Sequence, residues 1–144
     1  MSWDLAFTGK VTSDFVVGQV WATDGANRYL IHQVRKRMTF SESVQAILDT
    51  KKQYPQAQRI LVEAAANGHA AMDILKKELT GLIPVPAKGS KEARAHAVSA
   101  AVESGNVLLP GNAPWLRDFL DELGSFPNGT HDDQVDSLTQ ALGY

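Results

Sequence analysis

The sequence contains no cysteine in its 144 residues, which excludes disulfides and thiolate metal sites. Any metal must therefore be held by carboxylates, histidines, carbonyl groups or water. No apolar run approaches the ~18 residues that a membrane span needs, and no signal peptide opens the chain. An excess of charge of one sign is also lacking, because the formal net charge is -2. Overall charge therefore argues neither for nor against a nucleic-acid partner.

The composition and the first predicted elements indicate one α/β domain. Apolar residues make up 44% of the chain and charged residues 21%, as in an ordinary globular protein long enough to bury a core. Strands are predicted over residues 1–7, 14–22 and 27–38, and Asp24-Gly25 is typical of a hairpin turn between the last two. The chain is therefore expected to open with a three-stranded antiparallel meander.

The rest of the chain alternates between helices and strands. Short strands are predicted at the apolar runs ILVE, LIPVP and NVLLP. A helix is predicted over residues 41–54 with Ser41 as its N-cap, and further helices over 68–79, 91–103, 114–123 and 131–144. This alternation after a meander predicts a mixed sheet, antiparallel and then parallel, flanked by helices.

Carboxylates stand at unusual places in three separate segments. Asp4 lies in the middle of the first strand, where aspartate is depleted, and Glu63 ends the buried run ILVE. The last helix begins with Asp132, Asp133 and Asp136, of which the last two share a face at i and i+3. Each placement also has an ordinary explanation. Asp4 could lie on an edge strand, Glu63 could be solvated, and the helix dipole favours acidic residues in a first turn, although it accounts less well for Asp136.

The three segments together favour a metal site over these separate explanations. Open α/β sheets place functional residues at strand ends and helix starts along one edge, and each segment delivers a carboxylate to such a place. Hard oxygen ligands without cysteine suit Mg²⁺ or Mn²⁺. Two such ions, ~3.5–4 Å apart, can clamp the attacking water and the leaving oxygen of a phosphodiester. The pattern therefore predicts metal-dependent phosphodiester hydrolysis.

Several segments resemble the C-terminal nuclease domain of phage terminase large subunits. They are WDLAF, SDFVVGQVW, ILVEAAANG, PVPAKGSKEARA, ESGNVLLP and FPNGTHDDQVDSLTQAL, of which the last is the most specific. The resemblance covers nearly the whole chain and implies a ribonuclease-H-like fold, related to Holliday-junction resolvases and retroviral integrases. It implies that Asp4, Glu63 and an aspartate of the HDD motif bind two Mg²⁺ or Mn²⁺ ions and cut double-stranded DNA during viral packaging.

The resemblance also implies a larger assembly around this single nuclease domain, residues 1–144. An ATPase domain would precede it in a longer chain, and the small terminase subunit and the portal protein would be partners in the host cell cytoplasm, with no membrane involved. The sequence has no G-x-x-x-x-G-K-[ST] loop, so this segment is not expected to hydrolyse ATP.

Roles within the HDD motif follow from the resemblance. Resolvase-like folds carry two acidic residues three apart on the final helix, so we expect Asp133 as the principal ligand and Asp136 as the second. Asp132 is expected to cap the helix or contact a ligand from outside. His131 is either a donor to a ligand or water, or an ordinary loop histidine. Asp14, which begins the second strand, is expected to be structural or to lie outside the ligand set.

Positive charge is concentrated in two places. Lys88, Lys91 and Arg94 surround KGSKEARA, and a helix start there also offers backbone N–H groups to a phosphate. We expect these three residues to bind DNA, although a solvated charged face is the alternative. The run at residues 35–37 is expected to be a solubility feature or a contact to another domain. No residue implies base-specific readout.

Two other functions remain open from the sequence. One is a nucleic-acid-binding or docking module with the same fold that binds without metal and does not cut. The other is a junction resolvase or a transposase-type nuclease of the same superfamily. Retention of all the carboxylates argues against the first, and a comparison of linear duplex with four-way junction substrates would separate the second.

Overall fold

A computed structural model describes residues 1–5 and 15–144, with the side chains of residues 66 and 67 left out. Its described strands form one six-stranded sheet in the order β5-β4-β1-β2-β3-β6. Their bounds are β1 Ser2–Asp4, β2 Val16–Asp24, β3 Asn27–Lys36, β4 Ile60–Glu63, β5 Leu82–Val85 and β6 Val107–Leu108. Asp14, named from the sequence, lies outside the described residues.

The sheet is mixed, as the sequence predicts. β1, β2 and β3 pair antiparallel, whereas β4 runs parallel to β1, β5 parallel to β4, and β6 parallel to β3. In the register of β1 and β4, Ser2 faces Leu61 and Trp3 faces Val62. Because parallel strands end at the same edge of a sheet, this pairing brings Asp4 and Glu63 to neighbouring strand ends.

Five helices flank the sheet in the described part of the chain. Their bounds are α1 Phe40–Gln53, α2 Ala66–Leu75, α3 Lys91–Glu103, α4 Leu116–Ser125 and α5 Asp133–Gly143. The prediction of Ser41 as the N-cap of α1 is wrong. Thr39 caps the helix in a capping box, because its side chain accepts from the N–H of Glu42 while the Glu42 carboxylate accepts from the N–H of Thr39. Within the described ranges, no helix is long and apolar enough to cross a membrane.

One face of the sheet carries the larger apolar core. Trp3, Val16 and Val20 pack there with side chains of α1 and α2, including Ile47 and Leu75. Trp3 is fully buried and lies where a side chain on Gly18 would be, since a Cβ on that glycine would overlap the Trp3 ring. This contact explains the glycine in the middle of β2.

The opposite face of the sheet is polar at its centre. Ser2, Asp4, Gln19 and Gln33 are all buried, and α5 lies across β1 and β2. Beside this polar centre a smaller apolar cluster joins Leu30 of β3, Phe119 of α4 and Leu138 of α5. The aspartates of α5 are thus placed over the strand that carries Asp4.

Candidate metal centre

Asp4 lies at the end of β1 with only 8% of its surface exposed. Burial raises the pKa of its carboxyl well above the usual range, and the negative charges of Asp136, Glu63 and Asp133 raise it further. Lys91 acts in the opposite direction. Carboxylates from β1, β4 and α5 therefore share one neighbourhood, in which a bound cation would offset their repulsion.

A small cavity marks where these side chains meet. It measures about 30 Å³, which is room for at least one water-sized occupant. Asp4, Glu63 and Asp136 line it, together with Arg94 of α3 and Gln140 of α5. Asp136, rather than Asp133, is the α5 carboxylate on its wall.

Asp133 is held on another side of the cluster. Its side chain is buried, and its Oδ2 accepts a hydrogen bond of 3.3 Å from the backbone N–H of Phe15. His131 stands beside it, with Nδ1 3.9 Å from the same oxygen, which is too long for a hydrogen bond. The ring of Phe15 packs edge-on against the His131 ring at 5.1 Å between centroids. The Asp133 carboxylate is therefore linked to Phe15, the residue that leads into β2, by a backbone hydrogen bond.

Two of the three basic residues predicted to bind DNA contact the carboxylates of α5 directly. Lys91 Nζ lies 2.6 Å from Asp132 and 2.7 Å from Asp136, and Arg94 Nη2 lies 2.6 Å from the other oxygen of Asp136. Burial works against the charged form of Lys91, but the hydrogen bonds that its ammonium group donates to Asp132 and Asp136 raise its pKa. Lys88 is exposed and lines a neighbouring cavity of about 220 Å³ with Arg94. The positive charge at α3 thus adjoins the carboxylate cluster.

The helix α5 is tied to β1 by bonds that the sequence reading did not identify. Ser2 Oγ donates to the carbonyl of Ser137 at 2.8 Å, and Ser137 Oγ donates to the carbonyl of Ser2 at 3.1 Å. Gln140 Nε2 donates to Ser2 Oγ at 2.9 Å. The spacing of Asp133, Ser137 and Gln140, at i, i+4 and i+7, places them on one helical face. This spacing is the sequence signal that could have indicated that α5 packs on β1 through this polar face.

The donor set fits a hard divalent cation, although it is not assembled as a finished ligand shell. Among the described residues, no three acidic or histidine side chains already stand in metal-binding arrangement. Both oxygens of Asp136 are engaged by Lys91 and Arg94, so a cation in the cavity would share this carboxylate with them. The oxygen-only donors on the cavity wall are those that Mg²⁺ and Mn²⁺ prefer.

Comparison with known proteins places this geometry in a family context. The family model described as the terminase RNase H-like domain matches residues 1–144. A search of curated proteins found no match. Among solved structures, the large terminase nuclease from thermophilic phage G20c with bound magnesium is 24% identical, with a TM-score of 0.74 over 96% of this chain and 78% of that one.

Two further solved structures have the same fold. The G20c nuclease with bound zinc is 26% identical, with a TM-score of 0.72 over 96% of this chain and 77% of that chain. The large terminase from a second thermophilic bacteriophage is 12% identical, with a TM-score of 0.71 over 99% of this chain and 38% of that one. The mixed sheet with its flanking helices is therefore the fold of large terminase nuclease domains.

Proposed function

The chain belongs to the family of terminase RNase H-like domains, and from that membership we propose that it is a metal-dependent endonuclease. It cuts double-stranded DNA, with little sequence preference, during viral genome packaging. The observation that carries this proposal is the cavity at the end of β1, where Asp4, Glu63 and Asp136 arrive from three separate elements. Buried carboxylates that repel one another are costly unless a cation neutralises them.

The ligands we assign are Asp4, Glu63, Asp133 and Asp136, with Asp132 contacting them from outside. Asp4 is the central group, since both Asp136 on the cavity wall and Asp133 beside Phe15 act on its charge. When bound, two Mg²⁺ or Mn²⁺ ions supply activation of the attacking water and stabilisation of the leaving oxygen in phosphodiester hydrolysis. The magnesium and zinc bound in the similar G20c structures support a divalent ion.

The chain's own cations would position the DNA backbone. Lys88 is exposed next to the cavity, and Lys91 and Arg94 bring positive charge to its rim. Contacts to phosphate fix the register of a duplex without reading its bases, so cleavage depends little on sequence. The assembly in which this occurs is a large terminase, with an ATPase domain in the same chain and with the small subunit and the portal as partners in the host cytoplasm.

The decisive test is a single isosteric change. Asp4→Asn removes the central charge without changing the size of the side chain, so Mn²⁺-dependent nicking of supercoiled plasmid is expected to disappear. Asp49→Asn is the matched control, because Asp49 is an exposed α1 carboxylate whose pairing with Lys52 is solvated. Nicking by the Asp4 variant at the rate of the control would overturn the proposal.

Two outcomes would point to the rival functions. Metal-independent DNA binding without any cleavage by the unmodified protein would indicate a binding or docking module. Cleavage of a four-way junction in strong preference to linear duplex would indicate a resolvase-type nuclease. We expect nicking of plasmid and linear duplex at comparable rates.

A further inference from the structure

A buried carboxylate outside the metal centre lies against the first turn of α5. Glu122 of α4 is 7% exposed and has two acceptor oxygens at the start of α5. Its Oε1 accepts from the backbone N–H of Gln134 at 2.7 Å, and its Oε2 accepts from the Gln134 side-chain nitrogen at 2.5 Å. Arg35 of β3 donates to the same Oε2 at 3.1 Å. In all three bonds the Glu122 carboxylate is the acceptor and a nitrogen of Gln134 or Arg35 is the donor.

The start of α5 needs such a partner. The first N–H groups of a helix have no acceptor within the helix, and the residue in the capping position, Asp132, makes no side-chain capping bond. Asp132 is instead paired with Lys91. Glu122 supplies both the missing acceptor and a negative charge at the positive end of the helix dipole. The N-terminus of α5 is thus capped by Glu122, a side chain of another helix.

The orientation of this cap is fixed by a buried chain of amides. Gln33 Nε2 donates to Gln134 Oε1 at 2.6 Å, and Gln19 Nε2 donates to Gln33 Oε1 at 2.9 Å. All three glutamines are buried. Because the oxygen of the Gln134 amide is already used by Gln33, its nitrogen has to face Glu122. The chain is therefore directional, and reversing one amide would break a bond at each end.

A second route joins Glu122 to the metal centre. The guanidinium of Arg35, held by Glu122, lies 3.7 Å from the centroid of the Phe15 ring. The backbone N–H of Phe15 donates to Asp133 Oδ2. Asp133 is therefore restrained through its own helix by the Gln134 bond and through Phe15 by the Arg35 contact. Both restraints converge on one carboxylate.

We propose that Glu122 is a positioning residue for Asp133, which sets the direction of that carboxylate through Gln134 and through the Arg35–Phe15 contact. The inference rests on the proposed metal-dependent nuclease, in which Asp133 is a ligand. Neither Glu122 nor Gln134 lines the cavity with Asp4, so neither is assigned contact with metal or DNA. Partners of this kind, one step removed from the metal, typically change metal affinity by roughly 10–100-fold.

The test uses three variants that conserve size. Both carboxylate oxygens of Glu122 accept hydrogen bonds. In Glu122→Gln, the amide nitrogen therefore faces a donor of Gln134 or Arg35 in either orientation of the amide. Gln134→Glu places two carboxylates against each other. The double variant Glu122→Gln with Gln134→Glu restores one donor facing one acceptor between these side chains. We expect each single variant to bind Mn²⁺ about tenfold more weakly by titration calorimetry, and the double variant to bind more tightly than either.

A control separates positioning from loss of stability. Ile47→Val lowers stability in the apolar core on the opposite face of the sheet, where α1 packs. Its Mn²⁺ affinity is expected to equal that of the unmodified protein when both are fully folded. Equal Mn²⁺ affinity for Glu122→Gln, or a double variant no better than the singles, would overturn the proposal.

A metal-free measurement keeps this proposal distinct from the nuclease assignment. Amide hydrogen exchange at Gln134 and Asp136, in the first turn of α5, is expected to be at least tenfold faster in Glu122→Gln and to slow again in the double variant. Unchanged exchange would overturn the positioning role by itself. Failure of the unmodified protein to bind Mn²⁺, with the exchange pattern as expected, would instead overturn the metal-dependent function.

Discussion

At the scale of a single residue, Asp4 links the stability of the fold to the proposed metal site. It is buried among three other carboxylates, and its pKa is raised chiefly by burial. A folded pKa above the unfolded value means that the folded state binds the proton more tightly. The stability that this tighter proton binding contributes is fully present below the unfolded pKa of about 3.8. It is lost as pH rises through the folded pKa. At pH values above that unfolded pKa, the buried carboxyl group therefore makes the metal-free fold less stable than it is in acid.

The first prediction follows from that sign. Asp4→Asn, measured without divalent metal, is expected to raise Tm by a few degrees at pH 8, because about 1 kcal/mol moves Tm by about 2–8 °C. The difference is expected to shrink toward pH 4, where Asp4 of the unmodified protein takes up a proton. Thermal denaturation at the two pH values measures it. A variant less stable than the unmodified protein at pH 8 would contradict the account.

Gly18 gives a second prediction at this scale. Gly18→Ala would place a methyl group into the buried Trp3 ring, next to Asp4 in β1. We expect a loss of about 1–3 kcal/mol in the free energy of unfolding, measured by urea denaturation. Gly124→Ala in α4 is the control, because nothing lies within 4 Å of its added methyl group and alanine favours a helix. Equal stability of the two variants would refute the steric reason.

At the scale of elements, α3 supplies the positive charge that adjoins the carboxylates of α5. Lys91 and Arg94 occupy adjacent positions on one face of α3 and pair with Asp132 and Asp136. The charges of these pairs partly neutralise the centre before any cation arrives. We therefore expect the affinity of the proposed centre for divalent ions to depend on how α3 packs on α5.

A third prediction tests this dependence. Lys91→Met removes one positive charge at the cavity rim, and Mn²⁺ affinity is expected to rise by roughly tenfold, or about 1.4 kcal/mol. Lys88→Met is the matched control, since it removes the same charge from an exposed site that does not pair with Asp136. Titration calorimetry at fixed ionic strength compares the two. Equal changes in both variants would attribute the effect to overall charge alone.

The elements themselves were largely readable from the sequence, because hydrophobic period and turn residues are local signals. The meander, the mixed sheet and the bounds of α3 agree with the prediction. The cap of α1 was missed, although Thr39 and Glu42 have the capping-box spacing, because Ser41 is an equally good capping residue in isolation. Local competition between similar signals limits such boundaries.

The contacts of the centre were harder to foresee. The neighbouring placement of Asp4 and Glu63 follows from parallel strands, and sequence reasoning reached it. The pairing of Lys91 with Asp132 joins residues 41 positions apart and depends on how α3 lies on α5. Glu122 carried no sequence signal, since a glutamate in an amphipathic helix is ordinary. Both the Lys91–Asp132 pair and the contacts of Glu122 depend on packing between helices, which no local sequence pattern encodes.

At the scale of the whole molecule, the sheet separates two apolar clusters, and different helices pack against each. The larger core holds α1 and α2 on one face, and the smaller cluster of Leu30, Phe119 and Leu138 holds α4 and α5 on the other. Only the second lies on the side of Asp133 and Glu122. Stability and metal binding are therefore expected to respond differently to damage on the two faces.

The fourth prediction compares those faces directly. Phe119→Ala and Ile47→Ala are each expected to cost about 2–5 kcal/mol in the free energy of unfolding. Mn²⁺ affinity, measured at low temperature on folded protein, is expected to fall only for Phe119→Ala, because α4 carries Glu122. An equal loss of Mn²⁺ affinity in both variants would show that the sheet transmits the damage.

The paired bonds between Ser2 and Ser137 have a consequence for the order of folding. They join residues 135 positions apart, so they form only after almost the entire chain has been enclosed in one loop. Because closing so long a loop costs chain entropy before other contacts offset it, we expect these bonds to form late in folding. Until the final helix docks, Asp4 has no α5 carboxylates beside it. A half-folded chain in which α5 has not yet docked therefore lacks the complete carboxylate cluster, and with it the proposed metal centre.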